Sequence, residues 1–177
     1  MPQIDGSLAN LYSSRFSNAF GWFRPVSDGS YLIRLDWNQT GWRGEDYEDD
    51  VSRETKAQLL SYFTGGLQTF NLPLSPEGKS KRGRYWLDIM AKIPYGTVVS
   101  YAEFATFAGN SGAARAAGSA CAGNPIPIIY PCHRIVKSDG KLGNYGGGSD
   151  KAPSTPDNLA RKEKLITLER AFKAGSA

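Results

Sequence analysis

The residues best equipped for chemistry sit side by side. Cys132 and His133, followed by Arg134, lie within Asn124-Pro125-Ile126-Pro127-Ile128-Ile129-Tyr130-Pro131-Cys132-His133-Arg134-Ile135-Val136. A thiol attacks as its thiolate, and a free cysteine with a pKa near ~8.5 holds only a few per cent of that form at neutral pH, so a neighbouring base or cation is needed. His133 is the only histidine of the chain, so no other imidazole can serve Cys132. The prolines and the apolar run predict an extended segment that presents Cys132 in a fixed pose. In an extended strand the next side chain points to the opposite face, so His133 would reach the sulfur through a water or after a local turn. Two readings stay open on these residues: an activated nucleophile with its base, and a buried structural cysteine beside a surface histidine. Cys121 reads as a small packing residue.

Other chemistries find less support. Two cysteines and one histidine make neither a disulfide framework nor a zinc cluster. Glu45-Asp46-Tyr47-Glu48-Asp49-Asp50 lacks the glycine-punctuated spacing of a calcium loop and reads as a solvated acidic loop. No metal and no cofactor are expected.

The elements that must position Cys132 fall into two halves. With 40% hydrophobic and 12% aromatic residues, the 177-residue chain can bury one medium core or two small ones. No run approaches the roughly 18 apolar residues of a membrane span, and the first residues lack the pattern of a signal peptide, which predicts a reducing, intracellular address. The net charge of +4 hides an asymmetry: residues 1–74 carry a net −3 and the remainder +7. Such a division suits a second half that faces a polyanion, although solubility alone explains it equally well.

In the first half, residues 29–36 read as a strand and residues 52–63 as a helix with Ser52 as N-cap and Gly65-Gly66 as its stop. Leu72-Pro73-Leu74-Ser75-Pro76 reads as a linker, which divides the chain into domains 1–76 and 77–177. The second half is helical: residues 85–93, a short helix capped by Ser100 through Phe107, the turn Gly109-Asn110-Ser111-Gly112, and a small-residue helix over 113–122. Helix, glycine turn and helix form a helix-turn-helix. A small-faced helix packs closely in a core as readily as it enters a groove, but its one long charged side chain, Arg115, is expensive to bury.

Pro131-Cys132-His133-Arg134, preceded by Asn124-Pro125-Ile126-Pro127 and followed by Gly143-Asn144-Tyr145, resembles the O6-alkylguanine-DNA alkyltransferase family. The resemblance covers roughly residues 55–148 and resumes at 162–169, taking in Ile93-Pro94-Tyr95-Gly96, Ser100-Tyr101 and Ala113-Ala114-Arg115-Ala116. It implies an α/β (α+β) fold with a small N-terminal sheet-plus-helix scaffold and a mainly helical C-terminal domain that binds DNA and accepts the alkyl group. It further implies a minor-groove partner, double-stranded DNA containing O6-alkylguanine, in which Arg115 takes the place of the flipped-out nucleotide.

Carried onto this sequence, the resemblance makes Cys132 the acceptor, His133 the base acting through a water, Glu169 the carboxylate that orients His133, and Asn124 the support of the turn. Tyr101 assists extrusion and donates to the departing base. Pro127, Tyr145 and Gly146 form the pocket, and Asn110 and Ser138 touch DNA. The implied reaction is an irreversible, single-turnover direct reversal by a monomer, with O4-alkylthymine as a further substrate. Three departures stand out. Residues 149–161 form a stretch about ten residues longer than usual with the composition of a mobile loop, across which Glu169 is aligned. Lys79-Ser80-Lys81-Arg82 replaces a segment that usually carries an aromatic residue. Gly146-Gly147-Gly148 loosens the pocket rim. Two rivals to the repair reading remain: a cysteine hydrolase built on Cys132, His133 and Glu169, and a non-catalytic helix-turn-helix binder.

Overall fold

A computed structural model describes the backbone of residues 3–4 and the chain from 10 to 175. The chain forms two compact units, residues 1–77 and 78–177.

The first unit is an antiparallel sheet with one helix. Its strands are β1 (Gln3–Ile4), β2 (Asn10–Ser13), β3 (Phe16–Asn18), β4 (Gly21–Ser27) and β5 (Leu32–Asn38), and its helix is α1 (Asp50–Phe63). β4 is the hub, pairing with β5, with β3 near its start and with β2 near its end. β5 buries Leu35 and Trp37 by alternation and Leu32 across a register shift opposite Val26 and Ser27, and Phe23 lies between Phe16 and Trp37 at centroid distances of 5.2 and 4.9 Å. Leu59 and Tyr62 of α1 complete this core.

The acidic run expected to be solvated is instead a folded strap. Asp46 accepts from Ser13 Oγ at 2.8 Å and Arg15 N at 2.7 Å, and Glu48 accepts from Ser14 Oγ at 2.5 Å. Asp49, not Ser52, is the N-cap of α1: it accepts from Ser52 N at 2.8 Å while Ser52 Oγ accepts from Asp49 N at 3.1 Å. A capping box read from its acidic end explains the three-residue shift, since Ser52 is the partner rather than the cap.

The second unit holds α2 (Lys81–Met90), β6 (Val99–Ser100), α3 (Tyr101–Phe107), α4 (Ala114–Ala122), a 3₁₀ turn over Cys132–Arg134, β7 (Ile135–Val136) and α5 (Pro156–Gly175). α2 starts four residues before the expected helix because Ser80 accepts from Gly83 N at 3.2 Å and so begins the helix inside the basic stretch. Ser100 caps α3 as expected, in a reciprocal box with Glu103. Gly109 and Gly112, both at positive φ, turn α3 into α4, and the two helices pack together as a helix-turn-helix. Trp86, Phe104, Ile126, Leu165 and Ile166 are among the buried residues of this unit.

The segment before Cys132 departs from the expected extended form. Tyr130 N donates to Ile126 O at 3.0 Å, closing a turn in which Ile128 takes a φ of 71°. A β-branched residue in the left-handed region costs on the order of 1–3 kcal/mol, which Ile128 sustains while wholly buried. Cys132, His133 and Arg134 then form a single tight turn, so strand alternation does not govern their directions. β7 ends the segment by pairing in parallel with β6. The stretch expected to be a mobile loop is also shorter than it reads: α5 begins at Pro156, and Asn158, Arg161 and Lys162 are buried on it. No helix among the described residues is long and apolar enough to cross a membrane.

Candidate active site

Cys132 opens the 3₁₀ turn and is 2% exposed. Asn124 Nδ2 donates to its sulfur at 3.3 Å and to Tyr130 O at 2.7 Å, while Asn124 Oδ1 accepts from Ile126 N at 3.0 Å. One amide therefore folds the turn and touches the thiol. Burial pushes the Cys132 thiol up, partly offset by the Asn124 donor and by the Lys162 ammonium. At rest Cys132 is a neutral thiol, and its nucleophilicity depends on a base taking the proton.

His133 is fully buried with Nε2 2.7 Å from Glu169 Oε1. Burial of Glu169 would raise its carboxyl, but His133 and Arg134 outweigh that and hold it well below the usual range. An ionised carboxylate only accepts, so the proton of the neutral imidazole lies on Nε2, and Nδ1 keeps its lone pair. Nδ1 has no hydrogen-bond partner among the described residues. Burial lowers His133, against the pull of Glu169, which keeps the ring neutral near pH 7. The pair is thus a base with one nitrogen spoken for and the other available.

Glu169 is held from three directions. Arg134 grips it with two prongs, Nε to Oε2 at 2.9 Å and Nη2 to Oε1 at 2.9 Å, and Gly96 N donates to Oε2 at 3.1 Å. Arg134 Nη1 also donates to Ile93 O at 2.6 Å, and its guanidinium lies 5.6 Å from the centroid of Tyr95. The bidentate fork fixes the carboxylate plane, which a single cation on a flexible stem would not.

Lys162 is fully buried on α5, donating to Leu142 O at 2.5 Å and Asn144 O at 3.4 Å, with its ammonium 5.7 Å from the Tyr101 ring centroid. Between those two carbonyls Gly143, at φ 72°, passes so close that a Cβ would lie 3.0 Å from Tyr101 Oη. Burial and the nearby thiols push Tyr101 far above its ordinary range, so it stays a phenol and a proton donor. Gly147 is constrained in the same way: a Cβ there would fall 2.4 Å from the Tyr145 ring. The glycine run expected to loosen the rim thus packs tightly at Gly147.

A cavity of about 580 Å³ is lined by Tyr101, by Ala114, Arg115, Gly118, Ser119, Cys121 and Ala122 of α4, and by Lys137, Gly143, Asn144, Gly146 and Pro153. Of the residues expected at the site, Asn124 contacts Cys132 and Glu169 contacts His133, two buried pairs that share the 3₁₀ turn through Cys132 and His133. Tyr101, Arg115 and Gly146 meet at the cavity. Pro127 and Tyr145 are buried but do not line it. Asn110 and Ser138 are exposed, the Asn110 amide donating to Ala108 O at 2.9 Å, and neither touches the network. Arg134 and Lys162 received no role from sequence. Arg134 could have been found by its place directly after the Cys-His pair. Lys162 lies inside the charged stretch Arg161-Lys162-Glu163-Lys164 and carries no signal that it is buried.

The sequence profile described as the 6-O-methylguanine DNA methyltransferase DNA-binding domain matches residues 84–171. A methylated-DNA–protein-cysteine methyltransferase of Haemophilus influenzae is 34% identical over 170 residues, covering 92% of this chain and 88% of that protein. This chain belongs to the methylated-DNA–protein-cysteine methyltransferase family. A relative of the same name from Mycolicibacterium paratuberculosis is 42% identical over 119 residues, which span 67% of this chain and 66%, just under two thirds, of the relative. The crystal structure of Mycobacterium tuberculosis OGT in complex with DNA superposes with a TM-score of 0.74 at 33% identity, covering 89% of this chain and 92% of that one. The methyltransferase match at 84–171 contains the whole Cys132 network, the helix-turn-helix and α5 through Glu169. Lys79, Lys81 and Arg82 lie outside it.

Proposed function

We propose that this chain performs direct-reversal DNA repair, taking the alkyl group from O6 of guanine in double-stranded DNA onto Cys132 Sγ in a single irreversible turnover. The observation that carries the reading is the buried thiol held by Asn124 beside an imidazole whose Nε2 is committed to Glu169. His133 Nδ1 takes the thiol proton through a water. The thiolate attacks the O6-bound carbon; the Sγ–C bond forms as the C–O6 bond breaks, and the guanine departs with the bonding pair. Tyr101, kept protonated, donates a hydrogen bond to the departing base and so stabilises the negative charge that develops on it. No cofactor enters this balance, and the thioether formed offers water no good leaving group, so each molecule acts once.

The helix-turn-helix and the cavity on the Arg115 face of α4 support a minor-groove mode in which α4 enters the groove and Arg115 fills the gap left by the flipped nucleotide. The small residues Ala114, Gly118 and Ala122 suit a groove only ~6 Å wide. In this reading Gly146 lines the base pocket while Pro127 and Tyr145 support it from buried positions outside the cavity lining, Asn110 and Ser138 meet the backbone, and residues 1–76 act as a scaffold for the DNA-binding domain 77–177. On the same reading the protein works as an intracellular monomer, and O4-alkylthymine is a further candidate substrate.

Intact-protein mass spectrometry after incubation with a duplex containing O6-methylguanine tests the reading. One added methyl group per chain, absent in Cys132→Ala, is expected. A folded protein with unchanged mass would sink the assignment, and continued product formation beyond one equivalent would favour a hydrolase.

A further inference from the structure

The cavity face of α4 is a straight stripe. Arg115, Gly118, Ser119 and Ala122 recur at helical spacing and all line the cavity, so the stripe runs about 10 Å along the helix at ~1.5 Å per residue. At its far end stands Gly123, the C-cap, and a Cβ there would lie 2.7 Å from Lys79 Nζ. The Lys79 stem passes Gly83 in the first turn of α2, so the side chain spans from the start of α2 to the end of α4. Lys81 and Arg82 follow on that first turn, both exposed. Among the described residues none of the three has a carboxylate partner. Arg84 follows after Gly83, and the carboxylates of Glu77 and Glu169 are already paired with Arg34 and Arg134.

We infer that Lys79, Lys81 and Arg82 form a second phosphate-binding surface, continuous with the α4 stripe, that clamps the DNA backbone at the opposite end of the helix from Arg115. The inference rests on the DNA-repair reading and specifies how the duplex is held. One cation at the end of α4 and two exposed cations on the adjoining first turn of α2, with Arg115 about two turns along α4 from Lys79, suit a duplex that carries a negative charge every ~1.7 Å of its axis. The phosphates are bound without regard to base sequence or damage, so the surface contributes to search and residence on DNA and leaves recognition of the lesion to the pocket.

A purely structural role, with Lys79 interacting with the C-terminal dipole of α4, would show in thermal stability and not in salt dependence. The experiment is therefore the slope of log Kd against log salt for a short unmodified duplex and for one carrying O6-methylguanine. Lys81→Gln/Arg82→Gln, with Lys79→Gln added in a third variant, is compared with the charge-retaining Lys81→Arg/Arg82→Lys. Removing one cation from a phosphate should make the slope shallower by about 0.9, equally on both duplexes, while the methyl-transfer rate at saturating methylated duplex stays at the wild-type value. The charge-retaining variant should keep the wild-type slope. An unchanged slope in folded Gln variants, or a slope reduced equally in the charge-retaining variant, overturns the inference. Wild-type protein that binds duplex with this salt dependence but transfers no methyl group would instead overturn the repair reading and leave the phosphate surface standing.

Discussion

Glu169 Oε1 lies 2.7 Å from His133 Nε2, although 36 residues separate the two in sequence. The contact settles which nitrogen carries the proton, because the ionised carboxylate cannot donate. Glu169→Gln should invert that logic: an amide can offer its own N–H to the ring and release the tautomer, so Nδ1 no longer reliably presents a lone pair. Methyl transfer should slow by about 10²–10⁴-fold with the fold retained. Single-turnover kinetics with a methylated duplex checks this, and a wild-type rate would remove Glu169 from the relay.

Arg134 makes a separate prediction, on stability. Its guanidinium supplies two of the hydrogen bonds to Glu169 and one to Ile93 O, so Arg134→Met leaves a buried carboxylate short of partners. Breaking one side of a buried pair costs about 3–5 kcal/mol. Chemical denaturation should show a loss of that order, whereas Glu169→Gln, which removes the charge from the other side, should leave Arg134 buried and similarly costly. A change under about 1 kcal/mol in Arg134→Met would mean that the fork does not stabilise the unit.

Much of this network was legible in the sequence because one short segment, residues 124–134, carries the nucleophile, its base and the amide that folds the turn. The same segment misled in detail: prolines and branched residues favour extension, but the Asn124 side chain satisfies the Ile126 and Tyr130 backbone and so offsets the strain of a turn with Ile128 at positive φ. Long-range partners were less visible. Pattern reading alone gives no reason for Lys162 to be buried, since its acceptors are backbone carbonyls of Leu142 and Asn144, which leave no trace in side-chain chemistry. Asp49 and Ser52 show the converse problem, in which both residues of a capping box are good caps and only the hydrogen bonds decide between them.

Asn124→Asp tests the contact to sulfur. The change keeps the shape, and Oδ1 can still accept from Ile126 N, but the donor to Cys132 Sγ and Tyr130 O is replaced by an acceptor with negative charge. A thiolate beside a carboxylate is disfavoured, so transfer should fall by about 10²–10³-fold, the scale of losing one donor to a developing anion. The pH at which Cys132 reacts with a small alkylating reagent should move upward. An unmoved profile would show that Asn124 acts only through the turn.

Three buried groups of the site contribute to the pH dependence of stability. His133 is held below its ordinary 6.5 and Glu169 below its ordinary 4.5, so in both cases the unfolded chain binds protons more readily than the folded one. The stability due to His133 is lost as pH falls below about 6.5, and that due to Glu169 begins to go below about 4.5. Cys132 acts at the other end: burial raises it above 9.0, so the unfolded thiol ionises first and stability falls as pH rises past about 9. Thermal midpoints should therefore trace a plateau between about 6.5 and 9, and Cys132→Ala should remove part of the alkaline decline. A decline of unchanged size in that variant would assign it elsewhere.

Asn158 offers the sharpest test of whether residues 149–155 are a fixed wall. Its amide, fully buried at the start of α5, donates to Lys151 O at 3.2 Å and Ala152 O at 3.1 Å, and Pro153 O accepts from Tyr145 N at 2.9 Å. These bonds hold Pro153 at the cavity, where it meets the segment bearing Tyr145 and Gly146. Asn158→Ala removes both amide bonds and leaves two backbone carbonyls without that donor, a cost of about 1–3 kcal/mol. Hydrogen exchange should rise across residues 149–155 and at the Tyr145 amide while the Cys132 turn, held by Asn124, stays protected. Transfer of a methyl group should change less than transfer of a benzyl group if Pro153 bounds the space that the larger adduct needs. Equal effects on both substrates would place Pro153 outside the path of the alkyl group.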